Sequence, residues 1–277
     1  MARTVRRAAV ITHARPETIG PALDRLEAVA RRLDVELVLP SEELAKHGRP
    51  DAEGEVEGAD LAVVLGGDGT MLRALNRFLG TDVPVIGINF GRVGFLSGMD
   101  GSELEDGLAR AFAGDYAVIE LSTLVCEIGE ERRAAVNDVV AHGSTVGRMV
   151  TIGWEVGGEG LGQLACDGVV CCTPAGSTAY NLSAGGPVLV WGLEALAVTF
   201  VAPHSLNARP LVVPRGQEVV VRNLTPDVSL AVTLDGQVFA ELRTDGEMRV
   251  RLDDRRVKLA TLPERTFFRR FRETFAP

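Results

Sequence analysis

The sequence predicts an α/β N-terminal domain with an open, mostly parallel sheet, followed by a mainly β, sandwich-like C-terminal domain. The length of 277 residues is close to the limit at which single hydrophobic cores stop growing, so two domains are expected. Strand and helix patterns alternate as far as residue 117, and short strands separated by turns follow. We therefore expect domains over residues 1–117 and 118–250, with residues 251–277 packing back on the N-terminal domain.

The first domain is predicted from alternating apolar runs and amphipathic segments. The predicted strands are residues 8–13, 35–40, 59–70 and 83–90, and the third of these ends abruptly in glycines. The predicted helices are residues 17–33, 71–79 and 101–114, the last with Ser102 as its cap. This alternation indicates a parallel sheet wrapped by helices.

The second part of the chain has short strand patterns at turn-punctuated intervals, which are typical of a β sandwich. Its C-terminal segment reads as a strand followed by an aromatic and basic helix. Four phenylalanines form one apolar stripe on this helix, which predicts docking on another element. The four are Phe267, Phe268, Phe271 and Phe275.

Composition excludes several function classes. The chain is 46% hydrophobic and 24% charged, and no apolar run reaches the ~20 residues that span a bilayer, so we expect no membrane partner. The net charge of -9 argues against a nucleic-acid partner. The four cysteines lack metal-site spacing and predict buried thiols in a reducing compartment. With an N-terminal apolar run too short for a signal peptide, we expect a cytoplasmic protein.

The segment "VVLGGDGTMLRA" carries the first functional signal. Gly66, Gly67 and Gly69 surround Asp68 at a predicted strand-to-helix turn, where open α/β sheets bind ligands. Glycines let backbone N–H groups approach phosphate oxygens at a helix N-terminus. Asp68 then serves as a metal ligand or as a base for a hydroxyl proton, or it simply caps a tight turn. No Walker-type phosphate loop is present, and no dinucleotide fingerprint follows the first strand.

Polar residues interrupt three strand patterns of the second part. Asn137 and Asp138 lie among apolar residues, where each needs a partner, either in a neighbouring turn or in a ligand. Asp167 precedes a glycine in the same way. "VTLDGQ" ends a strand with Asp235, which reads as part of a hairpin turn and leaves Gln237 as a further candidate contact.

The stretch "DGVVCCTPAGSTAYNLSAGGPV", residues 167–188, turns from a buried strand into small polar residues and glycines. Small side chains leave room for a flat, polar ligand against the backbone. Hydrogen bonds to it are expected from Ser177, Thr178, Tyr180, Asn181 and Ser183. A serine nucleophile is disfavoured because no G-x-S-x-G elbow is present.

With these motifs in view, the chain resembles the NAD kinase family over nearly its whole length. The family's order and approximate spacing appear in "GGDGT", "GINFGRVGFL", "NDVV", the long central motif, "APHSLNARPLVVP" and "LDGQ". The central motif is highly specific, whereas "GGDGT" also resembles loops of diacylglycerol-kinase-like lipid kinases and, more distantly, of phosphofructokinases.

The resemblance implies transfer of the γ-phosphoryl group of ATP, with a divalent metal ion such as Mg²⁺, to the 2′-hydroxyl of the adenosine ribose of NAD. It implies that Asp68 accepts the hydroxyl proton, that Gly69 and Arg73 lie at the phosphates, and that the protein is a homodimer or homotetramer. The NAD-binding positions it implies are Asn137, Asp138, Arg148, Asp167, Ala175, Thr178, Ala179, Tyr180, Asn181, Leu182, Ser183 and Gln237. Ala175 stands where the family usually has threonine, so a hydroxyl contact is missing there.

Two other functions remain alternatives from the sequence. A diacylglycerol-kinase-like lipid kinase shares the glycine loop, although the polar segment "GSTAYNLSAGG" argues against a lipid groove. A non-catalytic sensor of NAD or NADP shares the binding residues, although it leaves Asp68 unexplained in an otherwise phosphate-friendly loop.

Overall fold

The computed structural model describes residues 4–13, 16–47, 56–91, 94–145 and 147–275. The chain forms two compact units: unit 1 comprises Met1–Glu120 and Val257–Pro277, and unit 2 comprises Leu121–Arg256. Unit 1 is α/β and unit 2 is mainly β, which confirms the predicted fold class. The domain limits predicted at residues 117 and 250 stay predictions.

The secondary structure follows the predicted alternation in its first part and the predicted run of strands in its second. The helices are α1 (Pro16–Arg32), α2 (Ser41–Lys46), α3 (Asp68–Arg77), α4 (Leu104–Phe112), α5 (Tyr180–Ser183) and α6 (Phe267–Phe275). The strands are β1 (Arg7–Thr12), β2 (Glu36–Val38), β3 (Leu61–Leu65), β4 (Val85–Asn89), β5 (Met99–Asp100), β6 (Ala117–Ile128), β7 (Glu131–Ala135), β8 (Asp138–Gly143), β9 (Val150–Val156), β10 (Glu159–Cys166), β11 (Gly168–Cys172), β12 (Ala195–Val201), β13 (Leu211–Pro214), β14 (Val219–Asn223), β15 (Leu230–Leu234), β16 (Gln237–Leu242) and β17 (Glu247–Thr261).

Unit 1 is organised around a parallel sheet in the order β2-β1-β3-β4. Thr12 pairs with Leu65, and Leu65 with Ile88, so the carboxyl ends of β1, β3 and β4 lie at one edge. The strands β3 and β4 are buried along their whole length, as expected of parallel strands covered on both faces. This edge is where ligands of open α/β sheets bind.

The predicted helix over residues 101–114 is confirmed as α4, but its predicted cap is wrong. A 3₁₀ turn over Gly101–Glu103 precedes α4, and the Asp100 carboxylate accepts a hydrogen bond from the Ser102 backbone N–H at 2.8 Å. The Asp100 N–H donates to the Glu103 carboxylate at 3.2 Å, which completes a capping box. The carboxylate that precedes the turn therefore does the capping that was expected of Ser102.

Unit 2 is built from antiparallel strands in two layers. One layer is the sheet β13-β12-β11-β8-β15-β16, and the other contains β10, β9, β14 and the first part of β17. Apolar residues of both layers form a single core, in which the Trp154 and Phe200 rings meet edge to face at 5.2 Å. Packing two such layers on one core is the physical basis of the predicted sandwich.

The four cysteines are buried free thiols, as predicted. Cys171 and Cys172 belong to two different apolar clusters, because neighbouring residues of β11 point to opposite faces. Burial raises the pKa of all four thiols, to about 12 for Cys126 and Cys172 and to about 11 for Cys166. These thiols therefore pack as small apolar groups.

The phenylalanine stripe of α6 is only partly buried. The Phe95 ring packs against Phe267 at 5.4 Å and against Phe275 at 6.1 Å between ring centroids. Phe267 is buried, which confirms a docking face, whereas Phe268 is 68% exposed. The predicted stripe is therefore wrong for Phe268, because neighbouring residues on a helix point about 100° apart.

Candidate functional site

Asp68 is the first residue of α3, at the carboxyl end of β3. Gly67 is the N-cap of this helix, and no side chain of the described residues caps it. The first-turn N–H groups of a helix have no partner inside the helix and carry partial positive charge. The glycine loop therefore presents donors suited to an anion, with a carboxylate beside them.

The Asp68 carboxylate is held by the backbone of the segment 94–97. The Phe95 N–H donates to Oδ2 at 2.8 Å, and the Leu96 N–H is 3.3 Å from Oδ1 and 3.4 Å from Oδ2. A Cβ added at Gly94 would overlap the Asp68 carboxylate. Gly94 thus allows the backbone to approach closely enough to fix the direction of this carboxylate.

The surroundings of Asp68 act on its pKa in opposite directions. Burial raises the pKa above its ordinary value and is the largest influence. The backbone N–H groups of Phe95, Leu96 and Ser97 lower it, as does the charge of Arg270. The net effect is a raised pKa, which makes Asp68 a stronger base than a carboxylate in water.

Gly69 and Arg73 follow Asp68 on α3. Gly69 is exposed, and no atom of the described residues lies within 4 Å of the position that its Cβ would take. The Arg73 guanidinium donates to the carbonyl oxygen of Thr12 at 2.8 Å, which holds it at the carboxyl end of β1. The Thr12 hydroxyl in turn donates to the buried carboxylate of Glu43 at 2.6 Å. Asp68 and the two residues predicted for the phosphates, Gly69 and Arg73, therefore lie on one helix at the carboxyl edge of the unit 1 sheet.

In unit 2, Asn137 and Asp138 lie at the start of β8, held there by the carboxylate of Asp235. This carboxylate accepts hydrogen bonds from the backbone N–H groups of Val136 at 2.8 Å, Asn137 at 2.7 Å and Asp138 at 3.2 Å. The pairing of Leu234 with Gln237 makes Asp235 and Gly236 a two-residue hairpin, as predicted. The turn thereby positions the pair as well as reversing the chain.

Asn137 and Asp138 are buried polar residues, and the Asn137 oxygen has no donor among the described residues. Asn137 is 8% exposed, and its Oδ1 has no hydrogen-bond partner within the described part of the chain. Asp138 is 7% exposed, and burial together with the neighbouring Asp235 raises its pKa to about 7. A buried polar atom without a partner is costly, so this pair is suited to the hydroxyl or amino groups of a ligand.

The glycine-rich stretch after β11 packs first against the protein itself. Thr173 donates from its hydroxyl to the Val136 carbonyl at 2.7 Å and accepts from the Gly176 N–H at 3.0 Å. A Cβ at Gly176 would overlap the backbone of Asn137. The absence of a side chain at Gly176 therefore lets this turn lie against the Asn137–Asp138 segment.

Two polar residues of this stretch are fully used inside unit 2. The Ser177 hydroxyl donates to the Pro174 carbonyl at 2.7 Å and accepts from the Leu189 N–H at 2.9 Å. The Asn181 amide donates to the Ser177 and Pro187 carbonyls, and its oxygen accepts from the Thr199 hydroxyl at 2.7 Å. Both residues shape the turn, and their side-chain groups are satisfied without a ligand.

The other predicted residues of the stretch differ in exposure. Ala175 is buried, so its methyl group occupies protein rather than an open surface. Tyr180 is 42% exposed on α5, which offers a ring and a phenol to solvent. Thr178, Ala179 and Leu182 are half-buried, and Ser183 is exposed. The accessible binding surface of this stretch is therefore centred on α5.

Three predicted residues lie outside this cluster on exposed loops or strand ends. The Gly143 N–H donates to the Asp167 carbonyl at 3.1 Å, and a Cβ at Gly143 would lie 3.2 Å from the Arg148 carbonyl, so the backbones of Asp167 and Arg148 flank one glycine. The Gln237 Oε1 accepts a hydrogen bond from the Arg133 guanidinium at 2.7 Å. Asp167 and Arg148 keep exposed charges available to a ligand.

The described residues contain no group of three or more metal-ligating side chains. Asp68 is the carboxylate adjacent to the phosphate-type loop, and backbone N–H groups already occupy one side of it. Such a site suits Mg²⁺ that is held mainly by substrate phosphates and water.

The sequence interpretation missed four residues that build these sites: Gly94, Thr173, Asp235 as a clamp, and Arg270. Thr173 and Asp235 carried a weak signal, since each is a polar residue at the end of an apolar strand. Gly94 lies in the segment "GINFGRVGFL", but nothing local marked its contact with Asp68 or the role of Arg270, because these partners are distant in sequence.

Two family models match the chain. The ATP-NAD kinase N-terminal domain matches residues 29–116, and the ATP-NAD kinase C-terminal domain matches residues 136–262. Together they cover the glycine loop of unit 1 and the Asn137–Asp138, α5 and Asp235 segments of unit 2.

Curated proteins and solved structures give the same likeness. The chain is 40% identical to an NAD kinase of Gemmatimonas aurantiaca over 77% of this chain and 76% of that protein. It is 34% identical to an NAD kinase of Moorella thermoacetica over 94% and 85% of the two chains. It is similar to the crystal structure of an NAD kinase from Archaeoglobus fulgidus in complex with ATP, with a TM-score of 0.76, 29% identity and 97% coverage of both chains. The yeast NADH kinase complexed with NADH shares its fold, with a TM-score of 0.85, 22% identity, and coverage of 98% of this chain and 87% of that one.

Proposed function

This chain belongs to the ATP-NAD kinase family, and we propose that it makes NADP with Asp68 as the proton acceptor. The γ-phosphoryl group of ATP is transferred to the 2′-hydroxyl of the adenosine ribose of NAD. The observation that carries this proposal is the half-buried carboxylate of Asp68, whose pKa is raised, beside the N-terminus of α3, which no side chain of the described residues caps. That arrangement combines an anion site with a base, and a simple cap would need only the first.

Phosphate binding is assigned to the loop of unit 1. Gly67 and Gly69 put no side chains in the way of backbone N–H groups at the α3 N-terminus, and the helix adds favourable partial charge there. Arg73, one turn further along α3, supplies a positive charge at the same edge. These groups offset the repulsion between ATP and a chain of net charge -9. The Archaeoglobus relative with bound ATP supports this assignment.

Asp68 is the proposed general base. The 2′-oxygen of the ribose attacks the γ-phosphorus, the bond between that phosphorus and the β,γ-bridging oxygen breaks, and ADP leaves. The hydroxyl proton passes to the Asp68 carboxylate, whose direction is set by the Phe95 and Leu96 N–H groups. Phosphoryl transfer otherwise depends on positioning and charge neutralisation. When bound, Mg²⁺ would neutralise phosphate charge and would be held mainly by the substrate phosphates and water, which leaves the Asp68 carboxylate for the proton.

NAD recognition is assigned to unit 2. Asn137 and Asp138 present buried acceptor oxygens, which match the donor groups of NAD: ribose hydroxyls, the adenine amino group and the carboxamide. Tyr180 and the other accessible residues of Thr178–Ser183 form the surface against which the dinucleotide lies. Asp167, Arg148 and Gln237 are proposed as outer contacts, and Ala175 and Asn181 as residues that shape the surface.

The two alternative functions have less support. The curated relatives that match the chain over most of its length are NAD kinases, and no lipid kinase resemblance is needed to explain its glycine loop. A sensor without activity requires neither the raised pKa of Asp68 nor the loop that orients it. Both alternatives remain outcomes of the experiment below.

We also propose a cytoplasmic location and self-association. Four buried, unpaired thiols fit a reducing compartment. The edge strands of the six-stranded sheet expose aliphatic side chains, including Val212 on β13 and Val238 on β16, which supports a homodimer or homotetramer. Separately, no helix among the residues described is long and apolar enough to cross a membrane.

The test is a coupled assay of NADP formation from NAD, ATP and Mg²⁺, with wild-type protein, Asp68→Asn and the control Asp106→Asn. Asp68→Asn is expected to fold and to bind NAD in calorimetry with unchanged affinity, while kcat falls by about 10²- to 10⁴-fold because the base is lost. Asp106 is exposed on α4, so its variant should match the wild type.

Each outcome of this assay has one reading. Retained turnover in Asp68→Asn removes Asp68 from the mechanism. A folded wild-type protein that forms no NADP contradicts the proposed function and directs the search to lipid acceptors. NAD binding without turnover of any acceptor favours the sensor.

A further inference from the structure

The guanidinium of Arg270, in the middle of α6, is buried inside unit 1. Arg270 is 5% exposed and donates to the Phe95 carbonyl at 3.0 Å, to the Ser97 carbonyl, and to the Thr261 hydroxyl at 2.8 Å. Its Nε also donates to the Arg265 carbonyl at 3.3 Å. Burying a cation is costly unless its N–H groups are hydrogen-bonded, so the Arg270 guanidinium holds these acceptor groups in place.

The segment that Arg270 binds is the same segment that holds Asp68. The Phe95 N–H donates to Asp68 at 2.8 Å while the Phe95 carbonyl accepts from Arg270 at 3.0 Å. Ser97 repeats this arrangement, since its N–H lowers the pKa of Asp68 and its carbonyl accepts from Arg270. One short backbone segment therefore has Asp68 on one side and Arg270 on the other.

Aromatic packing ties the same segment to α6 a second time. The Phe95 ring meets Phe267 and Phe275, which lie one turn or slightly more on either side of Arg270. The segment 95–97 is thus bound to α6 through its carbonyl groups and through a side chain. Its N–H groups point the other way and donate to the Asp68 carboxylate.

We propose that Arg270 is a positioning residue for Asp68: it orients the N–H groups of segment 95–97 toward the carboxylate and so sets how Asp68 accepts a proton. This inference rests on the proposed function, in which Asp68 is the base. Arg270 touches no substrate in this role, and it acts only through the backbone and its charge.

The charges around this arrangement determine the expected direction of the effect. Arg270 is the charged group that faces Asp68, and it lowers the pKa of that carboxylate. Arg265 and Glu273 in turn face Arg270, and burial lowers the pKa of Arg270 itself to about 10, so it is cationic at neutral pH. Loss of Arg270 removes the cation and loosens the N–H donors, and both changes raise the pKa of Asp68.

A residue with only a structural role would lower stability and leave the pH profile of the active enzyme unchanged. A positioning residue for the base moves the acidic limb of the kcat profile. The position of this limb is therefore the informative measurement. The affinity for NAD is measured beside it and should not change, because the proposed NAD contacts lie in unit 2.

The experiment compares kcat against pH for the wild type, Arg270→Lys, Arg270→Met and the control Arg269→Met. Arg270→Met keeps much of the apolar stem and removes the charge and the donors. Arg270→Lys keeps the charge but cannot reproduce the fork of donors to two carbonyls and a hydroxyl. Arg269 is the neighbouring arginine, which is half-exposed and paired with Glu273 on the same helix.

For Arg270→Met we expect the acidic limb of the kcat profile to move to higher pH by about one unit. At a pH below the limb, the fraction of enzyme with an ionised base is then about tenfold smaller than in the wild type. Arg270→Lys should shift less, and Arg269→Met should match the wild type. The affinity for NAD, measured by calorimetry, should stay within about twofold of the wild type in all four proteins.

An unshifted acidic limb in a folded Arg270→Met or Arg270→Lys protein overturns the inference. Failure of both variants to fold assigns Arg270 to the stability of unit 1 alone and overturns it equally. A wild-type protein that forms no NADP instead contradicts the proposed function, so the two failures are distinguishable.

Discussion

Asp138 makes the stability of the protein depend on pH in a direction opposite to that of most carboxylates. Its side chain is 7% exposed, and burial, followed by the repulsion of Asp235, raises its pKa from 3.8 to about 7. The replacement Asp138→Asn removes the titrating proton and keeps the shape of the side chain. The comparison of the two proteins therefore isolates the free energy of ionising this one group.

The sign follows from proton binding. Between about pH 4 and 7 the folded protein keeps a proton on Asp138 that the unfolded chain has released, so the free energy of unfolding falls as pH rises. Each unit of pKa difference is worth about 1.4 kcal/mol, and the difference between 3.8 and about 7 therefore destabilises the fold by about 4 kcal/mol at pH 8. Above the pKa of Asp138 in the folded protein, this destabilisation no longer changes with pH.

The advantage of Asp138→Asn over the wild type should therefore grow by about 3 kcal/mol between pH 5 and 8. The assay is urea unfolding followed by circular dichroism at several pH values in that range. Groups such as Glu194, whose pKa is lowered, titrate in both proteins and cancel in the difference. The matched control is Asp227→Asn, at an exposed turn position with φ of 57° that asparagine tolerates.

A difference between Asp138→Asn and the wild type that stays constant with pH would refute this reasoning. It would mean that the Asp138 carboxyl ionises equally well in the folded and unfolded chains. If the gain in stability of Asp227→Asn over the wild type grew with pH as much as that of Asp138→Asn, the pH dependence would be an effect of net charge and not of Asp138.

Two further predictions concern the residues that place the proposed site groups. Gly94→Ala puts a Cβ into the Asp68 carboxylate and should lower kcat by about 10²-fold without changing the affinity for NAD. The control is Gly98→Ala, whose new Cβ meets only ordinary contacts, so its kcat should stay near that of the wild type in the same kinetic assay. Asp235→Ala leaves the N–H groups of residues 136–138 without their acceptor, so it should raise KM for NAD far more than it lowers kcat. Asp235→Asn keeps one acceptor oxygen, and its KM should lie between those of the wild type and Asp235→Ala. Equal KM values in the wild type and both variants would contradict the role of Asp235 as a clamp.

Much of the fold was predictable because its signals are local. Buried strands such as β3 appear as short apolar runs, and the glycines that follow mark the turn into α3. The position of Asp68 at a helix N-terminus was predictable for the same reason. Ser102 shows where local reasoning is weakest, since a carboxylate two residues earlier took the capping role.

The partners of the site residues were not predictable, because they are far apart in the chain. Asp68 is held by a residue 27 positions away, Asn137 by one 98 positions away, and the Phe95 carbonyl by one 175 positions away. The glycine run after β11 shows the same limit. It was interpreted as room for a ligand, yet Gly176 is required by the backbone of Asn137.

The sequence by itself determined the α/β and β classes of the two units, the glycine loop with Asp68, and the family, because periodicity and motif spacing are properties of short segments. The tertiary structure alone decided which atoms of those motifs are engaged and which are available. It assigned the Asn181 amide to the fold, left the Asn137 oxygen without a partner among the residues described, and placed Asp68 against a segment bound by Arg270. Burial and hydrogen bonding depend on long-range packing, and these set the pKa values and the exposed donors and acceptors on which the chemistry rests.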